Sequence, residues 1–238
     1  VVDIIVRRRE TGVLVNIQAT NAPHMLFSED NVVAKFNHNK SQWGLFYNLS
    51  ARNFKKTYTD IDETYVLENK TIHRVQEGLH DQNKHFTHNI DLSYNLTEQD
   101  KYVFNVVFRN SVYDAPCLNQ SNKLYDAADA DNYIFSRLKN KQSSYTPSLD
   151  LYYQRTLPKN QMLTMSVTGT LMHTDNNRLY HEYTPQAEDL AMIETDVTGN
   201  KRSIIGEAIY DKRFKFLVFS AGLRHYQMYA RNEYAGSS

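Results

Sequence analysis

A single cysteine, Cys117, among 238 residues leaves no intrachain disulfide to form, so the chain is not a disulfide-built scaffold. Charge of one sign is also missing. Lys+Arg and Asp+Glu both total 27, and with no net field a nucleic-acid-binding role loses its usual electrostatic basis. No run of eighteen apolar residues occurs, which excludes a transmembrane helix but not a membrane β-barrel. Glycine (8) and proline (5) are scarce, whereas Tyr (17) and Phe (11) are abundant. Rings in a hydrophilic chain suit a pleated sheet whose alternate positions are polar.

The alternation itself is explicit. From 84 to 96 the even positions are Phe86, His88, Ile90, Leu92, Tyr94 and Leu96, and the odd ones are His85, Thr87, Asn89, Asp91, Ser93 and Asn95. After Thr97-Glu98-Gln99 the pattern resumes with Tyr102, Phe104, Val106 and Phe108 against Asn105, Arg109 and Ser111. Two period-two runs joined so closely form a hairpin. Val103 and Val107 break the rule and are expected to face lumenal material. Similar runs start near Val13, Trp43, Leu149, Leu163 and Leu217, giving about nine to ten strands and no amphipathic helix.

Connections are expected to alternate. Short ones fall near 38–42, 97–100, 157–161 and 211–213, and long ones near 21–30, 55–83, 112–144 and 173–202. That rhythm, with runs of nine residues or more, fits a barrel with tight turns on one side of a membrane and long loops on the other. Trp43, Tyr94, Tyr102 and Tyr153 lie on the apolar face near short turns, where an interfacial girdle belongs. Arg52, Asp91, Arg109, Asp150, Glu207 and Arg224 lie on the other face. The fold expected is therefore all-β: an antiparallel up-and-down meander forming part of an outer-membrane β-barrel. The loops 112–144 and 173–202 are expected to be the least ordered segments.

Candidate chemistry is sparse. His73, His80, His85 and His88 suggest a metal, yet 85 and 88 differ by an odd number and point to opposite faces. His173, Tyr180 and His181 lie in a long outer segment without a spacing rule. Cys117 has no neighbouring base, and the carboxylates Asp60, Asp62, Glu63, Glu188 and Asp189 read as solvated charge. Asp126, Asp129 and Asp131 lack the glycine and distal glutamate of an EF-hand. Asn48, Asn69, Asn95 and Asn119 stand in glycosylation sequons, relevant only to a eukaryotic secreted chain. No catalytic, cofactor or metal residue is assigned, and no cofactor is expected.

The chain resembles the first part of the barrel of TonB-dependent outer-membrane receptors of the Bacteroidetes type. Val2-Asp3-Ile4-Ile5-Val6-Arg7-Arg8 resembles the last plug strand; 145–153, Gly206-Glu207-Ala208-Ile209-Tyr210 and 220–226 resemble barrel strands. The resemblance implies that residues 1–10 end a plug domain and that 11–238 form part of a 22-stranded barrel importing a scarce nutrient. It implies as partners the remaining strands and plug, the TonB complex and outer-membrane lipid, with edge-strand self-association as a further expectation and no nucleic acid. The alternative is a soluble secreted β-sandwich that binds carbohydrate.

Overall fold

A computed structural model describes residues 11–25 and 27–237, so the expected plug strand at 1–10 lies outside the described residues. Apart from one 3-10 turn, Pro23–Met25, every regular element is a β-strand. In chain order these are β1 (Thr11–Ala22), β2 (Phe27–His38), β3 (Ser41–Thr57), β4 (Ile61–Leu67), β5 (Lys70–Leu79) and β6 (Asp81–Glu98). They continue with β7 (Tyr102–Leu118), β8 (Gln120–Asp126), β9 (Asp129–Leu157), β10 (Gln161–Tyr183), β11 (Asp189–Arg213) and β12 (Val218–Ser237).

All pairings are antiparallel and all strands belong to one sheet, ordered β1-β2-β3-β6-β7-β9-β10-β11-β12. β4, β5 and β8 extend it at one end, where β4 pairs β5, β5 pairs β8 and β8 pairs β9. Only residues 58–60 separate β3 from β4, His80 separates β5 from β6, and Asn119 separates β7 from β8. The described residues therefore make nine long passes, in agreement with the expected up-and-down meander.

Four tight turns lie at the same end, called here the turn end: 39–40, 99–101, 158–160 and 214–217. Asn39, Asp100 and Asn160 hold φ of 50°, 61° and 59°, a region these side chains tolerate better than most. At the opposite end Glu68 (φ 48°) and Asn69 (φ 64°) form the two-residue turn of the β4–β5 hairpin. With both central residues at positive φ, its twist matches that of the strands it joins.

The segments expected as long loops do lie opposite the turn end, but they are paired strand. Residues 112–144 contain the end of β7, all of β8 and the first half of β9. Residues 173–202 are a β10–β11 ribbon closed by a turn at 184–188. Residues 55–83 carry the β4–β5 hairpin, and 21–30 is mostly the ends of β1 and β2. The expected turn at 211–213 falls at 214–217, because Asp211, Lys212 and Arg213 still pair with β12.

Directly paired residues share a face, and the register makes the two faces unambiguous. One row reads Leu45, Leu92, Phe108, Leu149; the adjacent one reads Phe46, Asp91, Arg109, Ser148. The face assignments for 86–109 hold, with Val103 and Val107 beside Thr97 and Ser93 on the polar side.

Among the described residues nothing packs on the apolar side. Of these residues only Ala115, Leu124, Asn122, Ser136 and Gly199 are buried, while Val15, Trp43, Leu92, Leu149 and Val167 are exposed. The accessible surface is 17013 Å², against roughly 11,000 Å² for a compact monomer of this mass. A second sheet would bury alternate residues of the first, and none is present among the described residues.

Candidate functional site

The sheet is a two-faced wall, and its geometry follows from where the turns sit in the register. Ser41, after the first tight turn, pairs with Leu96, two residues short of the next turn pair Glu98–Tyr102. Tyr102 pairs with Arg155, again two residues short of the pair Leu157–Gln161. Gln161 pairs with Lys212, one residue short of Arg213–Val218. The turns thus step in one direction by five residues over six strand spacings. At about 3.3 Å per residue and 4.8 Å per strand, a line through them is inclined to the hydrogen-bond rows by about 30°. Strands of outer-membrane barrels tilt by a similar amount, about 35–45°.

The apolar band follows this inclined line. On β9, Tyr153 and Tyr145 bracket Leu151, Leu149 and Pro147. Eight residues span about 26 Å along the strand and about 22 Å after correction for tilt, close to the apolar height of about 25 Å of a membrane barrel. β10 repeats the pattern with Leu163, Met165, Val167 and Leu171, and β6 with Leu96, Tyr94, Leu92, Ile90 and Phe86. On this face Arg155 and Lys212 lie below the band, whereas Asp30, in the row of Leu49 and His88, and Arg202, opposite Leu171, are charges within it. Asn110, between Phe108 and Val112, is a polar residue inside the band, and nothing in the structure explains it. On the edge strand β12 the band ends at Leu223, with His225 and Gln227 beyond.

Rings gather at the lower edge. Trp43 and Tyr94 face each other across β3 and β6 with centroids 4.3 Å apart, and Phe104 meets Tyr94 at 6.3 Å. Tyr153 is directly opposite Phe104. The four rings expected as a girdle thus lie on the apolar face within a few residues of the turn end.

Two adjacent turns are clasped below the band. Glu98 accepts from Lys101 Nζ at 2.7 Å and from Lys40 Nζ at 2.9 Å, and Thr97 N donates to Lys40 O at 3.0 Å. The Lys101 and Lys40 hydrogen bonds hold the Glu98 carboxyl down to about 2. A depressed folded-state value means that the clasp contributes fully above the ordinary carboxylate range near 4.5 and is lost as pH falls through about 2. Wild type and Glu98→Gln should therefore differ in unfolding midpoint at pH 7 and converge at pH 2, as followed by circular dichroism.

The polar face is a hydrogen-bonded lattice. Asn89 Nδ2 donates to Asn48 Oδ1 (3.2 Å), and Asn48 Nδ2 donates to Asn31 Oδ1 (2.8 Å), a carboxamide ladder across three strands. Arg109 is ion-paired with Asp150, which also accepts from Thr168 Oγ1 at 2.7 Å. Arg52 is ion-paired with Glu29 and lies 3.9 Å over the Phe27 ring. The side-chain oxygens of Asn37, Asn95, Asn122 and Asn140 have no partner.

The sequence-predicted candidates disperse. His73 pairs with Asp62, His80 leans on Tyr58, His88 bonds Tyr47 Oη, and His85 faces Tyr113 from the polar side. His173 is held by Asn200 and Asp175, and His181 by Asp189. Tyr180 occupies the opposite face, where burial and the Glu182 carboxylate push its phenol up to about 12. Cys117 Sγ donates to Gln82 O at 3.1 Å. Asp60 accepts from Gly78 N, Glu63 lies 3.9 Å from Arg74, and Asp126 accepts from Ala128 N in the turn before β9. Glu188, in the β10–β11 turn, bonds Thr184 through its backbone N. Of the sequon residues, Asn48 and Asn95 sit on the polar face, Asn69 in the β4–β5 turn and Asn119 at the β7–β8 break. No group of three metal-ligating side chains comes together, and no helix is long and apolar enough to cross a membrane, among the described residues.

One feature had no sequence signal. Nearer the turn end, Lys84 and Phe86 of β6 and Val112 and Asp114 of β7 take the apolar side. Farther out, the odd residues Glu77, Leu79, Lys123 and Tyr125 take it, opposite Phe135 and its neighbours. Parity changes in the first pass too, from Leu49 and Ala51 to Asp62. Three neighbouring passes therefore each carry an extra residue, at 55–56 in β3 opposite Gln82, at His80, and at 115–116 in β7 opposite His85, whereas β9 runs through unbroken. Bulges in neighbouring strands, all within residues 80–85 of the middle pass, crease a sheet. Four of the five buried residues, Ala115, Asn122, Leu124 and Ser136, lie on the polar side at or beyond this crease, so the outer part curls toward that side; the fifth, Gly199, is on the polar side of β11. No family model, curated protein or solved structure matches the chain.

Proposed function

We propose that the chain is a section of the wall of an outer-membrane β-barrel of the TonB-dependent nutrient-uptake class, with no catalytic role. The apolar band carries this reading. It is exposed, about as tall as a bilayer core, inclined to the hydrogen-bond rows, and bordered at the turn end by rings and then by charge. The polar face would line the lumen, where amides, hydroxyls and the Arg109–Asp150 pair meet water and passing solute. The edges of β1 and β12 are unpaired with each other and would meet further strands of the barrel. The uptake class itself rests on the resemblance of the strand segments to those receptors.

Cysteine labelling in cells tests the wall. With Cys117 changed to Ser, single cysteines placed at each position from 145 to 153 are exposed to a water-soluble maleimide. Positions 146, 148, 150 and 152 should react, and 147, 149 and 151 should not. Equal reaction at 148 and 149 would reject a lipid-facing band.

A further inference from the structure

We infer that the groove between β11 and β12 on the apolar face binds the headgroup of an anionic, phosphate-bearing lipid. That site presupposes the membrane wall proposed above and accounts for a charge the wall leaves unexplained. Arg202 stands directly opposite Leu171, in the last apolar row of β10, on the side proposed to face lipid. Its other row neighbour is Tyr229 of β12, so both flanking side chains belong to this chain. Arg202 takes part in none of the ion pairs among the described residues. An ionised side chain facing lipid is costly without a partner and marks a binding function.

The groove gathers donors for a phosphate. It encloses about 740 Å³ and is lined by Asn200, Arg202 and Ile204 of β11 and by Gln227, Tyr229 and Arg231 of β12. Arg231 is diagonal to Arg202, one row farther from the turn end, a separation of about 7–8 Å that long side chains close. Two guanidiniums can hold one phosphate through paired N–H donors. The neighbouring carboxylates are already engaged: Glu233 pairs with Arg231 at 2.7 Å, and Asp175 accepts from His173 at 2.8 Å and from Thr198 Oγ1 at 2.9 Å. Arg231 keeps further N–H groups beside the one that Glu233 accepts. Two arginines against Glu233 leave the lining with a surplus of positive charge.

What adjoins the groove favours a lipid over a free anion. Gly169, opposite Ile204, and Gly206, opposite Val167, lack a side chain on the same face, and nothing lies within 4 Å of either Cβ position. They open a shallow furrow that starts one row below Arg202 and runs toward the turn end inside the apolar band, where an acyl chain can lie against the strands. On the far side of Arg202 the row turns polar. The Tyr145 and His173 rings stand 5.2 Å apart, and His173 Nδ1 is 2.8 Å from Asn200 Oδ1, the kind of side chains that sit at headgroup level. Phosphate at the arginines and chain in the furrow are thus held by one continuous surface.

The test uses the 238-residue chain in dodecyl maltoside micelles doped with dioleoyl phosphatidate or dioleoyl phosphatidylcholine, with lipid retention read by native mass spectrometry. Phosphatidate should be held about tenfold more tightly than the zwitterionic lipid. Arg202→Gln and, separately, Arg231→Gln should each weaken phosphatidate binding about tenfold, the loss of a charge-assisted contact. Arg155→Gln, which removes a cation from the same face beside the tight turns, should leave it unchanged, and a large excess of inorganic phosphate should not displace the lipid. Equal retention of the two lipids, an equal loss in Arg155→Gln, or displacement by inorganic phosphate would overturn the site. Detergent uptake, measured by sedimentation, reports on the wall separately. A chain that binds a detergent belt yet does not discriminate keeps the wall and loses the site, whereas a chain without a belt loses both.

Discussion

Leu149→Arg is expected to cost about 2–4 kcal/mol, and the same change at Tyr145 or Tyr153 no more than about 1. Leu149 sits at mid-height of the band between Phe108 and Gly169, and the two tyrosines mark its edges on the same strand and face. An arginine at the centre has to desolvate or drag water inward, whereas one at the edge reaches the headgroups. This depth profile separates lipid from protein: under a covering layer of protein, the cost would follow local packing and not height. Urea unfolding in liposomes of the barrel that contains this chain reads the difference directly. A flat profile across 145, 149 and 153 would remove the membrane from the interpretation.

Gly78→Ala should open the crease. A Cβ at Gly78 would stand 2.5 Å from Thr59 N and 2.8 Å from Thr59 O. Those are backbone atoms, which no rotamer change can move aside. The 58–60 link must then shift away from β5, with loss of the Gly78 N to Asp60 bond, at a cost of about 1–3 kcal/mol typical of overpacking. Gly169→Ala is the control, since nothing lies within 4 Å of its Cβ position; it should be neutral or stabilise by about 0.5–1 kcal/mol. Faster hydrogen exchange at 57–60 and 76–80 in Gly78→Ala alone is the expected signature. Equal exchange in the two variants would mean that the close approach is not a constraint.

The part of the sheet nearer the turn end was legible because it has an apolar side and a polar side. From Phe86 to Phe108 each step of one residue exchanges lipid-compatible for water-compatible side chains, so period and register could be read directly. The outer part lacks that contrast. Arg137-Leu138-Lys139-Asn140-Lys141-Gln142 and Asp175-Asn176-Asn177-Arg178 are polar on both sides and looked like loops. They are strands because each backbone pairs with a neighbour already extended beside it, a cause invisible to local hydropathy. The last turn was displaced because Phe214-Lys215-Phe216 mimics a strand, although Phe216 is 90% exposed in the turn itself. The crease was hidden for a third reason: a bulge changes a count by one residue and leaves composition untouched. Tyr58, His80, Asn119 and Asn140 are neighbours only through pairings across four passes.

Under the proposed barrel reading, the nine passes of the described residues fix the parity of whatever completes the wall. With nine passes, β1 and β12 both run away from the turn end. Laid edge to edge around a common axis, two copies of the chain would bring β12 of one beside β1 of the other in parallel, against the antiparallel ladders found throughout the sheet. Turning one copy over restores antiparallel pairing but puts its tight turns on the wrong side of the bilayer. An insert of one, three or any odd number of strands resolves both conflicts, because its first strand descends beside β12 and its last descends beside β1. The closed ring then has an even number of strands, and the wall described here can be finished only by an odd complement.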